Sequence, residues 1–341
     1  MTAEAVRSRL KEDLPDWNLE FATAQVDYQR QAALTEVKEY IGDPATVAGV
    51  LAGATALVVH MAPVTESALD QADSLRVIAC ARGGPANINI AAATKRGIAV
   101  LQTPERNSIT VAEFTLGMIL AMARRIPQAD QVVRTGRWQR ARQEAWGSWA
   151  KVRYELQGPD MEDRTLGICG FGVVGRRLAA LCRPLFAAIL AYDPYVSEAD
   201  MAGCGAKKAG LPELLQRSDV VSLHVRLAEN SPPLLGGVEI GMMMKGAYIV
   251  NTSRPRAIDE AALIEALSSG RLGGAALDVF GVEPLPPTHP LCQLPNVLLA
   301  PHVAGYSTDM PARSVRQVCE GLASFLKGEE VTHVMNPEVM G

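Results

Sequence analysis

The chain has 341 residues, enough for about two domains, and its 48% hydrophobic and 21% charged residues are the proportions of an ordinary globular protein. A formal net charge of −4 offers no basic surface, so we expect neither nucleic acid nor a membrane as a partner. No apolar stretch reaches the ~18 residues that span a bilayer, and residues 1–13 lack the apolar core of a signal peptide, so we expect a cytoplasmic protein.

The cysteines and histidines show no pattern typical of a metal site. The six cysteines never form a CxxC pair and the five histidines show no HExxH spacing, so we predict that the chain binds no metal. His60 and His224 lie in or at the ends of apolar strands, and we expect both in the core. The cysteines also lie mostly within apolar runs, and we predict that all six pack in the core: Cys80, Cys169, Cys182, Cys204, Cys292 and Cys319.

An α/β pattern begins early in the chain. Two strand-like apolar runs at 56–60 and 77–81 flank a polar, helix-compatible stretch at 65–74, which predicts a small α/β domain. Residues 110–134 carry the strongest helical signal, rich in alanine and large apolar side chains. We expect one largely buried helix there.

The segment 137–160 has an unusual composition. It holds three of the chain's four tryptophans, among arginines and glutamines and with little periodicity: Trp138, Trp146 and Trp149. Large aromatic side chains on an irregular segment favour an interface with another molecule, and a loop packed on its own domain is the alternative.

The most informative motif is a glycine-rich turn between an apolar run at 166–169 and a helix-like segment at 176–181. In a dinucleotide-binding turn the first glycine permits the tight bend, the second admits the pyrophosphate and the third lets the helix pack on the strand. The free N–H groups at the start of the helix also favour an anion. The pattern therefore predicts a dinucleotide site, with an ordinary strand-to-helix turn as the alternative; its residues are Gly170, Phe171, Gly172, Val173, Val174 and Gly175.

A carboxylate follows the next apolar run, at 189–192. This is Asp193, which lies about 20 residues beyond the glycines, where a carboxylate can accept both hydroxyls of a ribose. It would repel a 2′-phosphate, and the residues directly after it include no arginine to hold one. We therefore predict NAD rather than NADP as the cofactor.

Four further strand-like runs alternate with helical patterns, at 220–225, 247–251, 274–279 and 296–300. Such alternation predicts a parallel, doubly wound sheet, in which ligands bind beyond the carboxyl ends of the strands.

Polar residues that could carry chemistry stand after three of these strands. His302 is a candidate base for the proton of an alcohol, and the Glu283 carboxylate could stabilise its imidazolium form. Arg254 could hold a substrate carboxylate through two parallel hydrogen bonds. Taken singly, each residue could be an ordinary surface group; the combination favours a site.

The chain resembles the D-isomer-specific 2-hydroxyacid dehydrogenases over nearly its whole length. The resemblance implies that Arg254, Glu283 and His302 are catalytic, and that Thr252 and Asp278 lie on the cofactor side. It also implies two Rossmann-like domains, with a doubly wound NAD-binding domain (108–304) inserted into a smaller, flavodoxin-like substrate-binding domain (1–107 and 305–341). The motifs that carry the resemblance include the glycine turn and residues 81–84, 103–104, 111–113, 251–254, 278–284 and 301–305.

Within that family the chain resembles the phosphoglycerate dehydrogenase-like members in particular. The resemblance implies that Arg82, Gly83, Gly84 and Arg140 bind the substrate, and that the Trp138–Trp149 segment is the arm of a homodimer. We expect an NAD-dependent oxidoreductase for a small D-2-hydroxy acid with a second anionic group such as phosphate or phosphonate. A glyoxylate or hydroxypyruvate reductase is the alternative, and a non-enzymatic NAD-sensing corepressor is an alternative of another class.

Overall fold

The computed structural model describes residues 1–27, 33–228 and 231–340. It divides into two compact units, Met1–Asn107 with Ser307–Gly341, and Ser108–Tyr306. The chain therefore leaves the first unit after Asn107 and returns to it just beyond Gly305, the residue near which the sequence places the second boundary.

The helices and strands of the described residues are, in chain order, α1 (Ala3–Asp13), α2 (Pro44–Ala48), β1 (Ala56–Val59), α3 (Glu66–Leu69), β2 (Val77–Cys80), α4 (Ile90–Lys95), β3 (Ala99–Leu101), α5 (Ser108–Ala123), α6 (Ile126–Arg134), α7 (Arg137–Glu144), α8 (Trp146–Glu155), β4 (Thr165–Cys169), α9 (Val173–Cys182), β5 (Ala188–Tyr192), α10 (Glu198–Gly203), β6 (Lys207–Lys208), α11 (Leu211–Arg217), β7 (Val220–Leu223), α12 (Gly237–Met242), β8 (Tyr248–Asn251), α13 (Glu260–Ser268), β9 (Gly274–Leu277), α14 (Pro290–Gln293), β10 (Val297–Leu299) and α15 (Met310–Lys327).

The first unit is built on a parallel sheet in the order β1-β2-β3. Its central strand β2 is buried along its whole length, as expected for a parallel strand that is covered on both faces. Because side chains alternate across a strand, Val77 and Ala79 pack with α1 and α15 on one face, while Ile78 and Cys80 pack on the other.

The second unit contains a seven-stranded parallel sheet in the order β10-β9-β8-β7-β4-β5-β6. Two apolar clusters cover its faces. The strand order reverses between β4 and β7, and such a switch point opens a crevice beyond the carboxyl ends of the strands. The prediction of an α/β fold with parallel, Rossmann-like sheets is confirmed.

The prediction of a single helix at 110–134 is wrong, because the structure has two helices there. Helix α5 ends at Ala123, Arg125 adopts a left-handed backbone conformation with φ +51°, and α6 begins at Ile126. Pro127 explains the break, since its ring would clash with the carbonyl four residues earlier, at Ala123, while it fits the first turn of a new helix.

The prediction of an irregular segment at 137–160 is also wrong, because α7 and α8 form most of this segment. The apolar face of this hairpin is narrow: Ala141 and Val152 are its buried residues, and they pack with Val132 of α6, which hides the helical period in the sequence. Trp146 and Trp149, one turn apart on α8, have ring centroids 4.5 Å apart.

Four cysteines are buried as predicted, and burial raises the pKa of each of these thiols to about 12: Cys80, Cys169, Cys182 and Cys319. Cys204 is partly buried and Cys292 is exposed, so the prediction fails for Cys292. This residue lies on the short surface helix α14, where only Leu291 is buried. His60 and His224 are half-buried rather than fully enclosed.

Two further properties concern the described residues as a whole. None of their helices combines the length and the apolar character needed to cross a bilayer. They also contain no group of three His, Cys, Asp or Glu side chains placed to hold a metal ion.

Candidate active site

The glycine turn joins β4 to α9 at the switch point of the second sheet. Gly170 has φ +91°, and a Cβ atom there would lie 2.5 Å from the carbonyl oxygen of His224. A Cβ on Gly175 would lie 2.3 Å from the carbonyl oxygen of Gly170, so the helix packs directly on the turn. At Gly172, in contrast, a Cβ would have no neighbour within 4 Å. The middle glycine thus borders open space, where a ligand can approach the backbone.

The other residues of the turn contribute through their backbone or their packing. The Phe171 side chain is fully buried, and its N–H donates to Asp193 Oδ2 at 2.8 Å. Val173 begins helix α9 with Gly172 as its N-cap. The amides of the first helical turn, which includes Val174, have no partner within the helix and are free to face an anion.

Asp193 follows β5, the neighbour of β4. In addition to the Phe171 amide, its carboxylate accepts a hydrogen bond from the Tyr195 N–H at 2.9 Å through Oδ1. Each carboxylate oxygen can accept more than one hydrogen bond, so both keep capacity for ribose hydroxyls. The two amides orient the carboxylate beside the glycine turn.

The end of β8 forms a tight turn that presents Arg254. Asn251 shapes it: its side chain accepts hydrogen bonds from the Ser253 N–H and hydroxyl and donates to the Arg254 carbonyl at 2.8 Å. Arg254 is exposed, and one of its N–H groups donates to the Ser253 carbonyl. Its remaining N–H groups can bind a carboxylate.

Thr252 is buried in the same turn, and its hydroxyl lies 2.8 Å from that of Thr115 on α5. Thr115 donates its own proton to the Val111 carbonyl, so the Thr252 hydroxyl donates to Thr115. Its oxygen then remains available as an acceptor. Thr115 was missed from the sequence because it lies within an ordinary helical pattern.

Asp278, just after β9, holds the loop that carries His302. Its two carboxylate oxygens accept hydrogen bonds from the Val303 and Ala304 amides, each at 2.8 Å. Burial raises the pKa of Asp278, and this effect outweighs the two amides and the charge of His302, which act in the opposite direction. His302 itself has φ +56°, a conformation that side-chain-bearing residues rarely adopt. The two bonds to Asp278 fix the chain directly after it.

His302 and Glu283 form a hydrogen-bonded pair. His302 Nδ1 lies 2.8 Å from Glu283 Oε2, and the Phe280 amide donates to Glu283 Oε1 at 3.0 Å. Partial burial raises the pKa of Glu283, but the hydrogen bonds from His302 and Phe280 and the charges of His302 and Arg254 outweigh it, so the pKa lies below its ordinary value. An ionised Glu283 can only accept, so Nδ1 carries the proton and Nε2 faces outward for proton transfer.

The structure therefore brings Arg254, Glu283 and His302 to one edge of the second sheet, on the same side as the glycine turn. A nucleotide cradle beside an acid–base pair is the arrangement expected of a dinucleotide-dependent oxidoreductase.

The remaining predicted site residues belong to the first unit or to α7. Arg82 belongs to the first unit, where its guanidinium pairs with the Glu39 carboxylate and also donates to the Glu39 carbonyl at 3.0 Å. Gly83 packs so closely on Pro104 that a Cβ would lie 2.7 Å from its Cα, and Gly84 has φ +62°. Arg140 is exposed on α7 and donates to the Thr135 carbonyl at 2.9 Å. No motif or spacing in the sequence pointed to Glu39.

Comparison with known proteins agrees with this arrangement. The NAD binding domain of the D-isomer specific 2-hydroxyacid dehydrogenases matches residues 116–304. A glyoxylate reductase of Korarchaeum cryptofilum is 38% identical over 278 residues, which cover 82% of this chain and 81% of that protein. A D-3-phosphoglycerate dehydrogenase of Archaeoglobus fulgidus is 34% identical over 312 residues, which cover 91% of this chain and 57% of that protein. The D-lactate dehydrogenase structure from Escherichia coli has a TM-score of 0.71 at 27% identity and covers 98% of each chain.

The chain belongs to the D-isomer specific 2-hydroxyacid dehydrogenase family and is an NAD-dependent oxidoreductase. Its residues fit the cofactor, because open space borders Gly172 and the Asp193 carboxylate is already oriented by two amides.

Proposed function

We propose that the protein interconverts a small 2-oxo acid and the corresponding D-2-hydroxy acid, with His302 as the acid–base group. The observation that carries this proposal is the 2.8 Å hydrogen bond between His302 Nδ1 and Glu283 Oε2. It leaves Nε2 as the atom that exchanges a proton with the substrate oxygen, and it stabilises the imidazolium that forms when the alcohol loses that proton.

The other residues have complementary roles. Bound NADH supplies the hydride that reduces the C2 carbonyl of the 2-oxo acid. His302 Nε2 donates the proton to the carbonyl oxygen, and Arg254 holds the adjacent carboxylate through charge-assisted hydrogen bonds. In the oxidative direction His302 accepts the hydroxyl proton instead. Asp193, Thr252 and the glycine turn bind the cofactor, and Asp278 fixes the loop that follows His302.

The test combines a substrate panel with a change at His302. NADH oxidation is followed by its near-ultraviolet absorbance with glyoxylate, pyruvate, hydroxypyruvate and phosphohydroxypyruvate. His302→Ala should lower kcat by about 10²- to 10⁴-fold while NADH affinity stays unchanged. The control is His333→Ala, which changes an exposed histidine. An equal loss of turnover and NADH affinity would remove His302 from the acid–base role.

The Glu39–Arg82 pair favours a substrate without a second anionic group. Arg82 is the cation that the family resemblance assigns to the substrate, and in the first unit its charge is already balanced by Glu39. A phosphate at Arg82 would also meet the negative charge of Glu39. We therefore propose glyoxylate and hydroxypyruvate as substrates in preference to phosphorylated acids. The second candidate is a phosphoglycerate-like dehydrogenase, and it is supported by the assignment of Arg82 and Arg140 as cations that bind the substrate.

Glu39→Gln distinguishes these two candidates. If Glu39 disfavours the second anion, the variant should improve kcat/KM for phosphohydroxypyruvate several-fold relative to hydroxypyruvate, and leave glyoxylate turnover unchanged. Arg140→Ala should then have little effect on glyoxylate. A wild-type enzyme that turns over only phosphorylated acids would reverse the order of the two candidates. NADH binding without turnover on any acid would favour the NAD-sensing alternative.

We also propose that the protein forms a homodimer through α7 and α8. Trp138 and Trp146 are 48% and 62% exposed, and Arg142 and Arg153 stack on the tryptophan rings at 4.9 and 4.8 Å. Exposed aromatic and arginine side chains are the residues enriched at interfaces. Analytical ultracentrifugation should show a dimer, and Trp138→Ser with Trp146→Ser should shift it toward monomer.

A further inference from the structure

Arg226 follows β7, the strand next to β4 and its glycine turn. Strands β7 and β4 are parallel neighbours, with Leu223 opposite Cys169. The register continues beyond the strands, because the His224 N–H donates to the Cys169 carbonyl at 2.7 Å. A Cβ on Gly170 would lie 2.5 Å from the His224 carbonyl oxygen. The segment that follows β7 therefore runs directly against the turn.

Arg226 lies two residues beyond His224, whose carbonyl contacts the Cβ position of Gly170, and Gly172 lies two residues beyond Gly170 in the turn itself. This is the glycine whose Cβ position has no neighbour within 4 Å. Neighbouring strands are about 4.8 Å apart, a distance that an arginine side chain can cross. The guanidinium of Arg226 can thus reach the open space that the turn leaves for an anion.

Among the described residues Arg226 has no partner for its charge, unlike its neighbours. Arg176 donates to the Phe171 carbonyl and Arg177 to the Ser108 hydroxyl. Burial lowers the pKa of His224 to about 4, so that imidazole is neutral at neutral pH. Arg226 is exposed and has no hydrogen bond or ion pair with any of the described residues.

We propose that Arg226 binds the pyrophosphate of NAD, together with the amides of the glycine turn. The carboxyl edge of the sheet would then carry Asp193 after β5 for the ribose, the turn after β4, and Arg226 after β7 as the counter-charge of the pyrophosphate. A guanidinium suits this position because it forms paired, charge-assisted hydrogen bonds to phosphate oxygens. The proposal rests on NAD binding and is independent of the substrate.

The test measures binding rather than turnover. NADH is titrated into the purified full chain and followed by its fluorescence, for the wild type, Arg226→Ala and Arg226→Lys. Loss of a charge-assisted contact should raise the Kd of Arg226→Ala about tenfold or more, and Arg226→Lys should fall in between. The matched control is Arg217→Ala on α11, whose guanidinium pairs with Glu213; its Kd should equal that of the wild type.

Two further measurements locate the contact. ADP-ribose, which contains the pyrophosphate, should lose affinity for Arg226→Ala as NADH does, whereas adenosine should not. The wild-type Kd should also rise more steeply with salt than that of Arg226→Ala. Affinities for NADH and ADP-ribose within about twofold of wild type would overturn the proposal. So would an effect confined to the KM of the 2-oxo acid, since Arg226 would then bind the substrate carboxylate.

Discussion

Glu283 Oε2 lies 2.8 Å from His302 Nδ1, so the carboxylate sets the tautomer of the imidazole. The two residues are 19 positions apart in the chain and follow different strands, β9 and β10. The parallel sheet brings them together because the carboxyl ends of its strands share one edge.

Replacing Glu283 with Gln should change the pH profile of turnover. The ionised carboxylate stabilises a positive charge on His302, and glutamine carries no charge, so kcat near neutral pH should fall by about tenfold or more. The pKa of Glu283 lies below its ordinary value, so in the wild type the ion pair persists until the pH falls through that lowered pKa. Rate–pH profiles of both proteins test this: the variant should lack the decline at low pH that protonation of Glu283 causes in the wild type, and equal kcat values with the same low-pH decline would contradict the assignment.

Asp278→Asn should separate positioning of His302 from cofactor binding. The wild-type carboxylate accepts from two amides, Val303 and Ala304, and an asparagine offers only one acceptor oxygen. One buried amide then loses its partner, so unfolding should become easier by about 1 to 3 kcal/mol, and kcat should fall with NADH affinity retained. A variant that instead loses NADH affinity at unchanged kcat would assign Asp278 to the cofactor. Urea unfolding, kcat and NADH titration are the measurements.

The parts of the site that the sequence predicts are those encoded by neighbouring residues. The glycine turn is an example, because three glycines between an apolar strand and a helix determine its backbone geometry locally. The break after Ala123 was also readable in principle, since Pro127 cannot continue a helix.

Contacts between distant residues could not be predicted in this way. The pairs Arg82–Glu39 and Thr115–Thr252 are separated by 43 and 137 positions, and no spacing rule links them. The α7–α8 hairpin escaped prediction for another reason, since its few buried side chains give too weak an apolar period.

Asp193→Ala should weaken NADH binding and relax the discrimination against NADPH. The carboxylate is oriented by the Phe171 and Tyr195 amides, and its negative charge repels a 2′-phosphate. The ratio of the NADPH and NADH Kd values should fall by about tenfold, since a charge-assisted contact is lost for one ligand and a repulsion for the other. Asp200→Ala, on α10 of the same unit, is the control. An unchanged ratio would exclude Asp193 from ribose recognition.

His224→Gln should make the stability of the protein less sensitive to acid. Burial lowers the pKa of His224 from 6.5 to about 4, so between these values the unfolded chain binds a proton that the folded chain does not. Stability from this group is complete above pH 6.5 and is lost as the pH falls, by about 2 kcal/mol at pH 5 and about 3 kcal/mol at pH 4. Glutamine cannot titrate, yet it can still bond the Ser222 hydroxyl, which lies 2.9 Å from the imidazole Nε2. Urea unfolding at pH 7 and pH 5 should show a smaller loss for this variant than for wild type or exposed His333→Gln, and parallel losses in all three would refute the assignment.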